Sequence, residues 1–180
     1  MGEYIIIKTI GKGSFGTIYS GKRNNKIYAV KYQKKNNYSL LTEYKIMKSL
    51  QNIDCVPRID IYNIDEDLYS YYGMQLLDIT LIDYYDNMYN RGKNTTKMIK
   101  DIFVNMINII RSVHDNGILH GDLKPENFMF DTNMKLYIID FGLSKYYMIN
   151  NKHIPLKHVS QTTGSLHYMS LNNHNLLEIS

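Results

Sequence analysis

The sequence predicts an α+β chain in which a strand-rich first part is followed by a helix-rich second part. Up to about residue 77, short runs of alternating apolar and polar residues are separated by polar turns, which is typical of strands. Beyond that point, one long segment has apolar residues three and four positions apart, which is typical of an amphipathic helix. A length of 180 residues is ordinary for one domain. We therefore expect one domain whose two parts are built differently.

The first part is predicted to contain five strands and one helix. The strands are expected at 4–10, 17–21, 27–32, 59–64 and 68–77. Polar turns separate neighbouring strands at 23–26 and, with three consecutive acidic residues, at 65–67. Apolar residues within 38–50 recur at helical spacing, so this segment is predicted to be the helix.

The second part is predicted to contain the longest helix, at 96–114. Eight apolar residues fall on one face of this segment, and Asn116 with Gly117 supplies a stop signal after it. Two short strands are expected at 127–130 and 136–139. The remainder of the chain, 140–180, is predicted to be polar and irregular.

The composition excludes several classes of protein. One cysteine, Cys55, cannot form an internal disulfide or a zinc cluster, so we expect an intracellular, reducing location such as the cytoplasm. No apolar run approaches the roughly 18 residues of a membrane helix, so no membrane partner is expected. The net charge of +4 is spread along the chain and is too small to indicate direct nucleic-acid binding.

A glycine-rich loop follows the first predicted strand. Gly11, Gly13 and Gly16 fit the pattern G-x-G-x-x-G, and glycines at these positions let backbone N–H groups approach phosphates closely. A dinucleotide-binding loop requires a helix immediately afterwards, whereas a strand is predicted here. We therefore expect the loop to cap a hairpin and to cover a nucleotide, with an ordinary glycine-rich turn as the alternative.

A lysine and a glutamate further along are candidates for an ion pair. Lys31 ends the apolar run Tyr28-Ala29-Val30 on the strand after the loop, and Glu43 lies in the predicted helix. A lysine in this position can reach phosphates under the loop if an acid fixes its ammonium group. A solvated side chain is the alternative for any single lysine of this chain.

Two later motifs place polar residues at fixed spacing. His120-Gly121-Asp122-Leu123-Lys124-Pro125-Glu126-Asn127 is followed by Asp140-Phe141-Gly142. Together with the glycine-rich loop, the strand lysine and the helix glutamate, they form an ordered set that resembles the signature of the eukaryotic-type protein kinases. The resemblance implies a bilobal protein-kinase-like fold, with a β-rich N-lobe at about 1–77 and a partial helical C-lobe at about 78–180.

The resemblance implies roles in phosphoryl transfer, a reaction in which positioning and charge neutralisation dominate. Asp122 is expected to act as the catalytic base and Lys124 to neutralise the γ-phosphate. Asn127 and Asp140 are expected to hold Mg²⁺. The residues expected to bind ATP, or to orient those that do, are Ile10, Gly11, Lys12, Gly13, Ser14, Phe15, Gly16, Thr17, Ile18, Ala29, Lys31, Glu43, Met74, Gln75, Leu76 and Asp83.

Within that family, the sequence is most similar to casein kinase I and its viral and vaccinia-related relatives. The segment 40–46 resembles that group's helix, and 74–77 resembles its hinge, with Met74 as gatekeeper and the backbone facing adenine. Asp83 matches a position that reaches the ribose. The segment 163–172 resembles the group's activation segment, where Ser170-Leu171-Asn172 stands in for the usual A-P-E.

Three residues depart from the pattern of this group. Gly121 replaces the arginine of H-R-D, so the positive pocket that usually grips a phosphate on the activation segment is missing. We therefore expect activity that does not need phosphorylation of that segment. His167 replaces an anion-binding arginine, which puts a preference for acidic substrates in doubt. Ser165 replaces threonine and keeps a hydroxyl that can bridge Asp122 and Lys124.

The function expected from these residues is that of a serine/threonine protein kinase, which transfers the ATP γ-phosphate to hydroxyls of protein substrates. Lys124 in the catalytic loop resembles the serine/threonine kinases. The alternative is a truncated, inactive kinase-like protein that binds ATP or a partner without phosphoryl transfer, because kinases of this group continue through further helices. Those helices would cover the apolar stripe at 96–114, which is otherwise expected to face water.

Overall fold

The computed structural model describes residues 3–13, 16–34, 39–64, 69–93, 95–149, 152–155 and 157–177. Two compact units make up the chain, Met1–Leu77 and Asp78–Ser180. The first is built mainly from strands, and the second carries the longer helices. The α+β class predicted from the two sequence textures is therefore confirmed.

The first unit is a five-stranded antiparallel sheet with one helix. Its strands are β1 (Ile5–Gly13), β2 (Gly16–Arg23), β3 (Lys26–Lys34), β4 (Ile59–Ile64) and β5 (Tyr69–Gln75). They lie in the order β1-β2-β3-β5-β4. Helix α1 (Ser39–Ser49) follows β3. All five predicted strands and the helix are confirmed, and the predicted acidic turn at 65–67 falls outside the described residues.

Tyrosine supplies much of the packing in the first unit. Tyr4, Val30 and Tyr71 form a buried cluster on the sheet. The Tyr4 ring stands edge-on to the rings of Tyr28 and Tyr71, with centroids 5.7 and 6.1 Å apart. Such edge-to-face pairs are favoured because the positive edge of one ring meets the negative face of the other. The sheet that carries the glycine-rich loop is thus held by aromatic packing.

The second unit contains three helices and seven short strands among its described residues. The helices are α2 (Leu81–Asn90), α3 (Thr96–Asp115) and α4 (Leu171–His174). The strands are β6 (Ile79–Thr80), β7 (Ile118–Leu119), β8 (Phe128–Phe130), β9 (Leu136–Ile138), β10 (Lys145–Tyr146), β11 (Met148–Ile149) and β12 (Lys152–His153). Helix α3 confirms the predicted helix at 96–114.

Helix α2 was not predicted, although its start has a sequence signal. The Thr80 hydroxyl oxygen accepts a hydrogen bond from the Asp83 backbone N–H at 3.0 Å, so Thr80 is the N-cap. A threonine followed three residues later by an acid is a recognised helix start. The helix has one buried residue, Leu81, and its N-cap is the sequence signal that could have located it.

Helix α3 buries only part of its apolar face in the structure. Ile109 and Val113 are buried, whereas Phe103, Val104 and Ile107 are each more than half exposed. None of the helices in the described part of the chain is long and apolar enough to cross a bilayer. The exposed residues of α3 agree with the expectation that some of the stripe at 96–114 faces water.

A β-hairpin fixes the centre of the second unit. Strands β8 and β9 pair antiparallel with Phe128 opposite Ile138, and β6 pairs with the other edge of β8. The predicted strands at 127–130 and 136–139 are confirmed, although residues 125–127 form a short 3-10 turn before β8. Because the hairpin aligns residues 127 and 139, it brings the two predicted motifs of this unit together.

Candidate active site

The glycine-rich loop caps the hairpin of β1 and β2, as predicted. Gly13 pairs with Gly16, and Lys12 pairs with Thr17, at the end of the two strands. Gly11 pairs with Ile18 one step further along, while Ile10 is exposed on β1. Ser14 and Phe15, also predicted to contact ATP, lie outside the described residues. The strand that follows Gly16 excludes the strand-turn-helix arrangement of a dinucleotide-binding loop.

Lys31 and Glu43 form a buried ion pair in the first unit. Lys31 Nζ lies 2.6 Å from Glu43 Oε1, and both side chains are about 95% or more buried. The Tyr72 hydroxyl on β5 donates a hydrogen bond to the same carboxylate oxygen at 2.9 Å. A buried carboxylate needs such partners, because charge removed from water is otherwise costly. The pair thus fixes the lysine at the centre of the sheet rather than leaving it solvated.

The predicted hinge residues end the sheet of the first unit. Met74 lies opposite Ala29, the buried alanine of β3, in the register of β3 and β5. The backbone N–H of Gln75 donates to the Arg58 carbonyl oxygen at 2.7 Å, which removes this donor from those that could contact a base. Leu76 follows and is exposed. An adenine bound at this segment would therefore have to form its hydrogen bonds with other backbone groups than the Gln75 N–H.

Asp83, predicted to reach a ribose, lies in the first turn of α2. Its carboxylate oxygen Oδ2 accepts a hydrogen bond from the Thr80 hydroxyl at 2.6 Å. An acid in the first turn also complements the positive end of the helix dipole. Asp83 is exposed, so this role at the helix start leaves its carboxylate in reach of a ligand.

Asp122 is the centre of a hydrogen-bond network in the second unit. Lys124 Nζ donates to Asp122 Oδ2 at 2.7 Å and to Ser165 Oγ at 2.8 Å. The backbone N–H of Ser165 donates to the other carboxylate oxygen, Oδ1, at 2.8 Å. Asn127 Nδ2 donates to the Asp122 carbonyl oxygen at 2.8 Å and to Oδ2 at 3.2 Å. Both carboxylate oxygens are therefore bound by donors, which fixes the orientation of the group.

This network sets the protonation state of Asp122. Burial alone raises the pKa of its carboxyl group, but hydrogen bonds from Lys124 and Ser165 outweigh it and hold the pKa below the usual value. Asp122 is consequently ionised at neutral pH. An ionised, oriented carboxylate is an acceptor for a hydroxyl proton.

His120 joins the two motifs of the second unit. One ring nitrogen, Nε2, lies 2.9 Å from the Ile139 carbonyl oxygen, and the other, Nδ1, accepts a hydrogen bond from the Asp122 N–H at 3.3 Å. Burial lowers the pKa of His120, and a neutral ring with its proton on Nε2 satisfies both contacts. The backbone of Asp122 is thereby linked to the residue that precedes Asp140.

The residues predicted to hold Mg²⁺ lie at one end of the β8–β9 hairpin. The Ile139 N–H donates to the Asn127 carbonyl oxygen at 2.9 Å, so Asp140 comes directly after the residue opposite Asn127. Asn127 uses its amide nitrogen to bind Asp122, which leaves the amide oxygen for a cation. Oxygen ligands of this kind fit Mg²⁺, which usually keeps water and substrate phosphates as its other ligands. The described residues contain no cluster of three or more His, Cys, Asp or Glu side chains that could hold a metal ion.

Two glycines let the segment that contains Ser165 lie directly on the loop that carries Asp122. Gly121 has φ +83° and Gly164 has φ +95°, a region that residues with side chains rarely adopt. A Cβ on Gly164 would lie 2.8 Å from the Gly121 carbonyl oxygen, and a Cβ on Gly121 would overlap the Leu143 carbonyl oxygen. The glycine that replaces the arginine of H-R-D is thus required by this backbone.

A small pocket opens beside Asp122. Its volume is about 120 Å³, and its lining includes Ser165, Tyr168 and Met169 from the later segment. Asp122 is the only charged residue of that lining. His167, the residue that replaces an anion-binding arginine, is exposed in the 3-10 turn Leu166–Tyr168.

Three contributors to the site were missed by sequence reasoning. The Tyr72 hydroxyl supports Glu43, His120 links two motifs, and Asn173 lies buried against the segment that carries Ser165. His120 has a signal in its motif, whereas Tyr72 is one of 17 tyrosines and Asn173 one of several neighbouring asparagines. Only the folded structure distinguishes these two from the rest.

Comparison with known proteins adds a family and two relatives. The family model described as protein kinase domain matches residues 4–172. A protein named as a casein kinase I homolog of Encephalitozoon cuniculi is 34% identical over 186 residues, covering 98% of this chain and 57% of the relative. A protein named as a serine/threonine-protein kinase of fowlpox virus is 30% identical over 191 residues, covering 96% of this chain and 65% of the relative. The chain thus spans roughly three fifths of the length of the curated relatives it matches.

Proposed function

The chain belongs to the protein kinase family, and from this premise we propose that it transfers the γ-phosphate of ATP to serine or threonine hydroxyls of protein substrates. The observation that carries the proposal is the network around Asp122. Its carboxylate is ionised and oriented by Lys124 and Ser165. The names of both relatives, as a casein kinase I homolog and a serine/threonine kinase, favour the same activity.

Asp122 would act as the base for the substrate hydroxyl. An ionised carboxylate can accept a hydrogen bond from that hydroxyl and orient its oxygen toward phosphorus. Because its pKa is low, Asp122 is a weak base, and we infer that the proton moves late in the reaction. Such timing fits the loose transition state of phosphoryl transfer, which needs little activation of the nucleophile.

Lys124 would contact both the base, Asp122, and the γ-phosphate of ATP. Its ammonium group contacts Asp122 and Ser165 in the structure, and a lysine has three donors. The third N–H is available for a γ-phosphate oxygen, where the positive charge would offset negative charge that develops in the transition state. The same cation thus orients the base and neutralises the transferred group.

The first unit would supply the contacts to the other phosphates. Lys31, fixed by Glu43 and Tyr72, is the proposed ligand of the α- and β-phosphates. The backbone of the glycine-rich loop would approach the same phosphates, and the segment at Met74–Leu76 would contact adenine. Ordering of Lys31 by a buried carboxylate means that binding does not have to restrict a flexible side chain.

Asn127 and Asp140 are the proposed ligands of Mg²⁺. When bound, the ion would offset negative charge on the phosphate groups. The hairpin of β8 and β9 aligns these residues through the bond from Ile139 to Asn127. Asn127 also holds Asp122, so ion binding and base orientation depend on the same side chain.

Phosphate transfer from γ-labelled ATP and Mg²⁺ to casein tests this function. Wild type should label serine or threonine, and Asp122→Asn should lower the rate by about 10²–10⁴-fold because the acceptor of the hydroxyl proton is lost. Asp115→Asn, an exposed aspartate at the end of α3, is the matched control and should leave the rate unchanged.

The alternative, a kinase-like protein that binds ATP without transfer, predicts a different result. In that case ATP would bind to wild type, but neither wild type nor Asp122→Asn would label casein or the chain itself. Equal labelling by the two proteins would show that any transfer comes from a contaminant. Either outcome would overturn the proposed function.

A further inference from the structure

A buried asparagine holds the segment that contacts Asp122. Asn173 lies in the short helix α4 and is only 3% exposed, although its side chain is polar. Its amide nitrogen Nδ2 donates to the Thr163 carbonyl oxygen at 2.5 Å, and its amide oxygen Oδ1 accepts a longer bond from the Thr163 N–H at 3.4 Å. One side chain thus pairs with both backbone polar groups of one residue, in the way that a neighbouring strand would.

The paired residue is two positions from the contact with the base. Ser165 donates its backbone N–H to Asp122 Oδ1, and its hydroxyl accepts from Lys124. Gly164, between them, has no side chain and packs its backbone on Gly121. The stretch from Thr163 to Ser165 is therefore held on one side by the catalytic loop and on the other by Asn173.

Asn173 is itself fixed by the ends of α4. The Ser170 hydroxyl accepts a hydrogen bond from the Asn173 backbone N–H at 3.3 Å and caps the helix. After the helix, the Leu176 carbonyl oxygen accepts from Val159 at 2.9 Å. The chain before Thr163 and the chain after Asn173 are thus joined, so the backbone on both sides of the Asn173–Thr163 pair is held together.

We propose that Asn173 is a positioning residue of the phosphoryl-transfer site, which holds Thr163 so that Ser165 stays bonded to Asp122. It touches neither substrate nor the carboxylate and acts through the backbone of 163–165. The effect of Asn173 on catalysis rests on the proposed function. Its effect on the position of Ser165 rests on geometry alone.

Amide hydrogen exchange tests the geometric part without any need for activity. In Asn173→Asp, an isosteric change, the group facing the Thr163 carbonyl oxygen is no longer a donor, and Asn173→Ala removes the whole amide. We expect the Ser165 N–H to exchange at least about tenfold faster in both variants, the change that corresponds to one lost buried hydrogen bond. The amides of Ile109 and Val113 in α3 report unfolding of the unit and should change much less.

Two controls separate the pairing from general damage. Thr163→Ala should leave the exchange rate of the Ser165 N–H unchanged, because Asn173 binds backbone atoms of Thr163 and not its side chain. Asn175→Asp makes the same chemical change at an exposed position two residues away and should also leave that exchange rate unchanged. If Ser165 exchanged no faster than in wild type, or if Ser165 and α3 amides accelerated equally, the proposal would be overturned.

Kinetics test the catalytic part. We expect a fall in kcat of about 10–100-fold for Asn173→Asp, since small misplacements of a reacting group have effects of this size. The KM for ATP should be unchanged, because the proposed phosphate contacts of Lys31 are untouched.

The two experiments fail in distinguishable ways. If wild type transfers no phosphate but its Ser165 amide depends on Asn173, the proposed function fails and the positioning role of Asn173 stands. If wild type is active and Asn173→Asp retains full kcat, the positioning role fails and the proposed function stands. If Asn173→Ala does not fold, the isosteric variant supplies the same readouts.

Discussion

Asp122 illustrates how neighbours decide the chemistry of one residue. Burial disfavours its ionised form, but two hydrogen-bonded neighbours, Lys124 and Ser165, favour that form more strongly. Lys124 and Asn127 lie in the same motif as Asp122, whereas Ser165 is 43 positions away along the chain. Sequence reasoning found the hydroxyl of Ser165 but gave no indication that its backbone N–H binds the second carboxylate oxygen.

The low pKa of Asp122 predicts a particular pH dependence. A pKa below the usual value, about 3.9 for aspartate, means that the base stays ionised from pH 8 down to about pH 5. Protonation of Asp122 should therefore cause no loss of kcat/KM in that window. Ser165→Ala keeps the backbone N–H that binds Asp122 but removes the hydroxyl, whose hydrogen bond also lowers the pKa. The pKa should therefore rise part of the way toward its usual value, and the acidic limb should move to higher pH.

The corresponding measurement is a kcat/KM profile of wild type and Ser165→Ala from about pH 2.5 to pH 8, which includes the region below the usual aspartate pKa of about 3.9. Lys157→Met is the exposed-lysine control for general changes of charge. An acidic limb at the same pH in Ser165→Ala and wild type would contradict the assigned cause of the low pKa.

Tyr72 gives a prediction about stability. Tyr72→Phe removes the hydroxyl that donates to Glu43 and leaves the ion pair with Lys31 in place. We expect the free energy of unfolding to fall by about 1–3 kcal/mol, the range for a buried hydrogen bond to a charged group. Urea unfolding monitored by circular dichroism measures the change. Tyr89→Phe, on the exposed side of α2, should stay within about 0.5 kcal/mol of wild type, and equal effects of both variants would refute the role given to Tyr72.

At the level of elements, the contact between the loop at Gly121 and the loop at Gly164 could not be predicted from the sequence. The strands β1–β5 and the helix α3 follow from hydrophobic periodicity, because each has a continuous pattern over at least six residues. Helix α2 was missed although its N-cap, Thr80, gives a local signal. The contact of Gly164 with Gly121 joins residues far apart in sequence, and no local pattern encodes such a contact.

This contact predicts a selective loss of activity in Gly164→Ala. The added Cβ would lie 2.8 Å from the Gly121 carbonyl oxygen, so the backbone must move and carry the Ser165 N–H away from Asp122. We expect kcat to fall about 10–100-fold. Gly92→Ala is the matched control, because Gly92 also has positive φ but open space around its Cβ position.

Both glycine variants should lose stability, since each places a side chain at positive φ, and Gly164→Ala should lose more because its Cβ also meets the Gly121 carbonyl oxygen. Only Gly164→Ala should lose activity. A similar loss of kcat in Gly92→Ala would show that backbone strain, and not the contact with Gly121, is responsible. Thermal unfolding and casein labelling of the two proteins make the comparison.

For the whole molecule, the exposed side of α3 is the feature that most affects behaviour in solution. Phe103, Val104 and Ile107 are adjacent on that helix and more than half exposed. Exposed apolar patches favour association and aggregation. The curated relatives contain sequence beyond what this chain matches.

Replacing the exposed residues should improve solubility with little effect on folding. For Phe103→Ser with Ile107→Ser, we expect weaker binding of a hydrophobic dye and a higher saturating concentration. The free energy of unfolding should change by no more than about 0.5 kcal/mol per site. Ile109→Ser, on the buried side of the same helix, should instead cost several kcal/mol, about 2–5. Strong destabilisation by the exposed pair would show that this side of α3 is packed in solution.

The overall class, the two units and the ordered set of motifs could be anticipated from the sequence, because they depend on local periodicity and on residue spacing. The supporting contacts could not. Tyr72 with Glu43, His120 with Ile139, and Asn173 with Thr163 each join residues at least ten positions apart. These contacts determine whether the residues of the motifs are held in a reactive arrangement.

The most direct test of these assignments is a progress curve of casein phosphorylation. The protein used should first be shown by mass spectrometry to carry no phosphate. Because Asp122, Lys124 and Ser165 are already bonded to one another in the structure, we expect transfer at a constant rate from the start, with no lag, and none of it in Asp122→Asn. A lag that disappears once the chain has phosphorylated itself would contradict the assembled site, and absence of transfer would contradict the proposed function.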